Sequence, residues 1–372
     1  MAQEPLVEKR VFQLPRFTTQ SGRTLKDVRI GWESYGRLNA DKSNAVLICH
    51  FFSGTSHAAG RYAASDAEAG YWDAIIGPGK AIDTDRWFVL SSDTLVNLNT
   101  GDPRVTTTGP ASLDPETGRA YGPDFPVVTI ADFVAVQKAL VESLGITRLA
   151  MVAGPSMGSL QTYEWAVSHP EMVGKAMAVI GAAEADAQLI GWLDVWSAPI
   201  RLDPNWNGGA YYDGAPPEAG LARALTAMTL QANHGDWVNA TFGRRPAVEG
   251  TDPASALSAR FQVQSVLDNA GELRARLCDA NHFLYLAKAN QLFVAGGRSL
   301  EDAMQRLRAP LLVISHPRDL VFPEAMVLRT VEAARAAGRV VTHLNIEGKR
   351  GHLDGVMSMK QAEGAIRAFL EG

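Results

Sequence analysis

The pentapeptide Gly154-Pro155-Ser156-Met157-Gly158 has the spacing G-x-S-x-G and lies between an apolar run at 149–153 and a helical pattern at 157–169. In a chain with 34 glycines the bare pattern says little. Its position between an expected strand and an expected helix gives it meaning, because a sharp turn there pushes the serine hydroxyl outward as a nucleophile. Glycines on both sides let neighbouring backbone pass close to the turn. A serine hydroxyl is a poor nucleophile near neutral pH, so it requires a base, and the base requires a carboxylate to orient it. On an elbow of this kind the chain order is Ser, then Asp or Glu, then His.

Of the eight histidines, His352 fits best: it lies in a loop directly after the apolar segment 340–346. His50 and His57 come too early for that order. His169 ends the helix after the elbow, and His234 and His282 read as packing residues. The carboxylate is expected to leave the preceding strand, and the run 311–314 leads into Ser315-His316-Pro317-Arg318-Asp319. Asp319 is therefore the expected orienter of His352. Asp354 is the competitor, although it stands very near His352 in sequence. The negative charge of a tetrahedral intermediate must be met by fixed donors. The N–H of Met157 is one, and the loop His50-Phe51-Phe52-Ser53-Gly54 offers the N–H of Phe52 as the second. The alternative is that Phe51 and Phe52 are core aromatics only.

The elements that must position these residues follow from the apolar pattern. Val28, Ile30 and Trp32 alternate with polar residues as a half-buried strand does, whereas 45–49, 87–90, 149–153, 176–180 and 311–314 are continuous apolar runs. Such runs read as central strands of a parallel sheet covered on both faces. Between them Thr129 opens a helix, with Asp132 three residues on, and Gly145 closes it; Pro170 stops the helix after the elbow. Strands alternating with helices give an α/β doubly wound sheet. The segment 184–303 breaks the rhythm with aromatic-rich loops and amphipathic stretches, and it reads as an inserted, mostly helical lid on a core made of 1–183 and 304–372.

The net charge of −5 offers no clustered basic surface for nucleic acid. No apolar run approaches the roughly 20 residues that span a bilayer, and the first ten residues lack the apolar core of a secretory signal, so a cytoplasmic protein is expected. Cys49 and Cys278 form no framework and no metal-like pair, and no His or Cys spacing implies a metal.

With these residues in place, the chain resembles the homoserine O-acetyltransferase family of α/β-hydrolase-fold enzymes over nearly its whole length. The likeness rests on Asn44-Ala45-Val46-Leu47-Ile48-Cys49-His50, Gly77-Pro78-Gly79-Lys80-Ala81-Ile82-Asp83-Thr84-Asp85, Tyr121-Gly122-Pro123-Asp124-Phe125-Pro126, Asp203-Pro204-Asn205-Trp206 with Gly208-Gly209, and Asp319 with Phe322-Pro323. The resemblance implies an α/β-hydrolase fold with a helical lid, and Ser156 carrying an acyl group with His352 as base and Asp319 as its partner. It further implies no bound cofactor, acyl-CoA as co-substrate, an alcohol acceptor in a tunnel, and a homodimer formed through the lid. Several positions depart from the family pattern. The elbow has Pro155 and Ser159 where Gly is usual, and Phe51-Phe52 is bulkier than the usual Ala-Leu. Thr94-Leu95-Val96-Asn97-Leu98-Asn99-Thr100 replaces a segment rich in Gly and Cys. The Arg that pairs with the acceptor's carboxylate falls at about Ser197, beside Trp196, and the Asp after the catalytic His is Leu353. Phe51, Trp196, Ser197 and Leu353 are thus the expected substrate-binding positions. The departures keep the acyl-transfer residues and remove the amino-acid recognition. The expected reaction is acyl transfer to an alcohol other than homoserine, with hydrolysis by water as the alternative.

Overall fold

A computed structural model describes residues 6–372; residues 1–5, the start of the segment read above for a secretory signal, lie outside the described residues. β1 (Arg10–Thr18) and β2 (Thr24–Tyr35) form an antiparallel hairpin whose inward side chains include Val28, Ile30 and Trp32. There follow β3 (Ala45–Cys49), β4 (Ile76–Gly77), β5 (Ile82–Asp83), β6 (Phe88–Ser92), α1 (Ile130–Ser143), β7 (Met151–Pro155), α2 (Met157–Ser168) and β8 (Ala176–Val179). The chain then runs through α3 (Ala187–Leu202), α4 (Glu218–Gln231), α5 (Gly235–Phe242), α6 (Gln262–Ala275), α7 (Ala280–Gln291) and α8 (Leu300–Arg306). It returns through β9 (Leu311–Ser315), α9 (Glu324–Ala336), β10 (Val341–Asn345), α10 (Asp354–Met357) and α11 (Glu363–Glu371).

Eight strands pair in the order β1-β2-β6-β3-β7-β8-β9-β10, while β4 and β5 pair separately. From β6 to β10 every pairing is parallel; β1–β2 and β2–β6 are antiparallel. This is the α/β-hydrolase fold, with a mixed edge contributed by the hairpin. The continuous apolar runs are explained by two buried faces: Leu47 and Cys49 face one side cluster, Val46 and Ile48 the other. Each such side chain contributes about 1.5–3 kcal/mol by leaving water. Thr129 caps α1 as expected, its hydroxyl accepting from Asp132 N while Asp132 accepts from Thr129 N, and Gly145 turns the chain away with a φ of 71°. β7 starts at Met151, two residues later than the apolar run; Leu149 instead forms an isolated parallel bridge with Val173, its N–H donating to Met172 O. Among the described residues no helix is long and apolar enough to cross a membrane.

A buried ionic cluster ties the hairpin to the loop after β3. Lys9 pairs with Asp93 at 2.8 Å and Glu33 at 3.5 Å, and Gly31 makes room, since a Cβ there would lie 2.3 Å from Asp93 Oδ2. His57, Tyr35, Tyr62 and Ser56 also hydrogen-bond to Glu33. Burial acts to raise the Glu33 pKa, but the bond to His57, the charge of Lys9 and the bond from Tyr62 override it and hold the carboxyl at about 2, below its ordinary 4.5. A depressed carboxyl stabilises the fold above its unfolded pKa, and that stability is lost as pH falls toward the folded value. Glu33→Gln is expected to lower stability at neutral pH by on the order of 3 kcal/mol. The difference in Tm from wild type should narrow as the pH drops from about 5 toward 2. A pH-independent difference would show that the charge of Glu33 is not what matters.

Candidate active site

Ser156 stands between β7 and α2 with φ 55° and ψ −121°, a conformation that costs a non-glycine residue on the order of 1–3 kcal/mol. The neighbours enforce it. A Cβ on Gly154 would lie 2.5 Å from Cys49 O, and one on Gly158 2.2 Å from the same oxygen. Ser156 N donates to Val179 O at 2.9 Å, which fastens the turn to β8. Ser159, where the family has Gly, donates its hydroxyl to Ser156 O at 2.7 Å and so braces the elbow from inside α2.

The three residues expected to act together are brought together. His352 Nε2 is 2.9 Å from Ser156 Oγ, and His352 Nδ1 is 2.8 Å from Asp319 Oδ2. All three are buried. The other carboxylate oxygen of Asp319 accepts from Val321 N at 2.7 Å and Phe322 N at 2.9 Å, which fixes its plane. The ring of Phe322 stacks on His352 at 5.9 Å. Asp354 is occupied elsewhere: it accepts from Arg350 N, Gly351 N and Ser358 Oγ, and so shapes the loop that carries His352. Such a relay can lower the barrier to attack by Ser156 Oγ on a carbonyl carbon, the proton passing to His352.

Met157 N and Phe52 N carry no hydrogen bond to another group among the described residues. The Phe52 loop is held rigidly from below. His50 is fully buried, its Nδ1 bonded to Phe51 O at 2.7 Å and its Nε2 3.3 Å from Asn97 Nδ2; burial lowers its pKa and keeps the ring neutral. The segment Thr94–Thr100, another departure from the family pattern, thus supplies the side chain that anchors this loop.

Ser156 and His352 open into a cavity of about 140 Å³ lined by Phe51, Phe52, Trp196 and Leu353, and also by Leu193 and Met228. Phe52 is both core aromatic and cavity wall, edge-on to Phe283 and Trp196. Ser197 is a correction. Its hydroxyl turns back to Leu193 O at 2.7 Å, and it faces a separate surface depression beside Ile190 and Lys288. On α3 the cavity positions are instead Leu189, Leu193 and Trp196, at i, i+4 and i+7. That spacing is visible in the sequence and would have identified the face. Thr229, Arg274 and Asn290 also line the cavity, and no sequence signal marked them.

A family model described as the alpha/beta hydrolase fold matches residues 44–341. A homoserine O-acetyltransferase of Methanococcoides burtonii is 41% identical over 355 residues, covering 95% of this chain and 71% of the relative. The chain belongs to the homoserine O-acetyltransferase family. Among solved structures, homoserine O-acetyltransferase from Bacillus anthracis is 37% identical with a TM-score of 0.94, over 99% of this chain and 98% of that one. The crystal structure of esterase E22 is 47% identical, also with a TM-score of 0.94, over 98% of this chain and all of that one. The chain is therefore an enzyme of the acyltransferase or ester hydrolase type.

Asp319→Asn should leave the loop in place but present the wrong partner to His352 Nδ1. The expected loss is about 10⁴-fold in kcat on a small acetyl ester. A loss below tenfold would remove Asp319 from the relay.

Proposed function

We propose that this member of the family is a serine-dependent carboxylester hydrolase acting on short acyl esters. Ser156 Oγ attacks the ester carbonyl carbon and gives its proton to His352 Nε2, while Asp319 holds the imidazolium. The bond to the alcohol oxygen breaks, and His352 returns the proton to that oxygen. Water then attacks the acyl-enzyme, loses a proton to His352, and releases the carboxylic acid as Ser156 recovers its proton. The N–H groups of Met157 and Phe52 face the oxyanion in both halves.

The observation that carries this reading is the wall of the cavity. No Asp or Glu among the described residues lines it, and the residue beside His352 is Leu353. An acceptor bearing an ammonium group would lose its hydration without gaining a partner, at a cost of at least about a few kcal/mol. Water makes no such demand. The 47% likeness to an esterase supports the same choice. The volume of about 140 Å³ suits an acyl group no larger than a benzene ring. The second reading is transfer from acyl-CoA to an alcohol other than homoserine, and the match to an O-acetyltransferase over 95% of the chain favours it. In both readings 184–303 serves as a lid over the core 1–183 and 304–372, with Leu189, Leu193, Trp196 and Met228 forming its underside.

Trp192, Val195 and Leu202 lie along one stripe of α3 and are 39%, 53% and 81% exposed. This stripe supports pairing of two copies through the lid. Light scattering should give twice the chain mass, and Val195→Asp with Leu202→Asp should halve it; a monomeric wild type would end that reading.

Intact mass after brief incubation with acetyl-CoA, or with a small activated acetyl ester, separates the two reactions. Hydrolysis predicts turnover of the ester, abolished by Ser156→Ala, with no CoA released. One acetyl group taken from acetyl-CoA by the wild type alone, and kept until an alcohol is added, would make the chain a transferase. Turnover undiminished in Ser156→Ala would remove Ser156 as the nucleophile.

A further inference from the structure

The cavity that ends at Ser156 is not apolar throughout. Arg274, in the last turn of α6, lines it together with Thr229 of α4 and Asn290 of α7. A guanidinium has five N–H donors. One of them goes to Thr229 Oγ1 at 3.1 Å, and Thr229 passes its own proton to Leu225 O at 2.7 Å, so the hydroxyl is oriented to receive it. The Arg274 side chain makes no other hydrogen bond among the described residues, not even to the carbonyls at the end of its own helix. Nor does it pair with a carboxylate among them. By contrast Arg223 of α4 and Arg260, just before α6, both pair with Asp268 of α6. The neighbouring thiol of Cys278 offers no anion, since burial pushes it up to about 11.

Arg274 is also withdrawn from water enough that burial lowers its pKa, although an arginine remains a cation at neutral pH. A charge held in this way is unfavourable in the empty protein and beside an apolar ligand. It becomes favourable when the ligand brings the counter-charge, and a guanidinium matches a carboxylate best because two parallel N–H groups meet two oxygens.

We propose that Arg274 recognises a carboxylate on the substrate, carried away from the ester bond that breaks, so that the preferred substrates are monoanionic esters. This rests on ester cleavage at Ser156. It adds a specificity the apolar wall does not suggest: Arg274 meets the negative charge, and among the described residues no acidic side chain lines the wall to balance an ammonium. The carboxylate can sit on the acyl or the alcohol side, and matched ester pairs distinguish these sources.

The test compares para-nitrophenyl hemisuccinate with para-nitrophenyl butyrate, and para-acetoxybenzoate with phenyl acetate. Wild type, Arg274→Leu and Arg274→Lys are measured. In one pair the anionic-to-neutral ratio of kcat/KM should fall by about 10- to 100-fold in Arg274→Leu, chiefly through KM. Arg274→Lys should keep part of the preference, because it keeps the charge but not the planar fork. A ratio unmoved in both pairs, or both esters of each pair slowed alike, overturns the proposal. A change confined to CoA release from acetyl-CoA also overturns it, since the anion would then be a phosphate. Ser156→Ala on the neutral esters identifies which reading has failed. If it abolishes turnover while the ratios stay unmoved, only the role of Arg274 falls. If turnover survives, ester cleavage at Ser156 falls first.

Discussion

The site depends on how closely α2 can approach the end of β3. Gly154 and Gly158 both press against the carbonyl of Cys49, and any side chain at either would collide with it. That approach allows Ser156 to take a positive φ, turns its hydroxyl toward His352, and leaves Met157 N without an acceptor among the described residues. It also fixes where the next segment must begin. His50 follows Cys49 directly, and its two ring nitrogens lock the Phe51-Phe52 loop over the serine. A strained backbone at one residue is thus maintained by packing among several others, as strain at functional sites generally must be.

The fold and the relay were largely legible in the sequence because both rest on local signals. A strand covered on both faces must be apolar at every position, so β3, β7, β8 and β9 announce themselves. The order of Ser156, Asp319 and His352 follows from the order of those strands. Asp319 and Asp354 were distinguished by reach: the structure gives Asp354 to the backbone of the loop before His352 and Asp319 to the imidazole. The cavity wall was less legible. Apart from loop residues such as Phe51, Phe52 and Leu353, it is built from α3, α4, α6 and α7, and which face of each helix turns inward depends on how the four pack together. Ser197 stands at about the position where the family pattern has an Arg for the acceptor's carboxylate, yet it lies on another side of α3 from the cavity. Arg274 bears no motif at all; only the convergence of three helices gives it meaning.

The departures from the family pattern act on different parts of the molecule. Ser159 and Asn97 are structural, each completing a hydrogen bond that steadies the elbow or the loop above it. Leu353 changes the chemistry of the wall without touching the relay. Changes of the first kind let the fold tolerate changes of the second, because the reacting groups keep their support while the surroundings of the ligand vary.

The loop that carries His352 is fastened to the end of α4 and the turn after it. Leu353 N donates to Ala232 O and His234 N to Arg350 O, while Gln231 bridges Trp196 to Leu320 O, next to Asp319. The helices α3 and α4 and the proton relay therefore share their fastenings. Widening the entrance by shifting α4 would pull on the imidazole and its carboxylate together, so substrate size and reaction rate cannot be tuned separately in this frame. Change is least costly at the side chains of α3 and α4 that face the cavity, and most costly where the backbone around α4 meets the loops that bear Asp319 and His352.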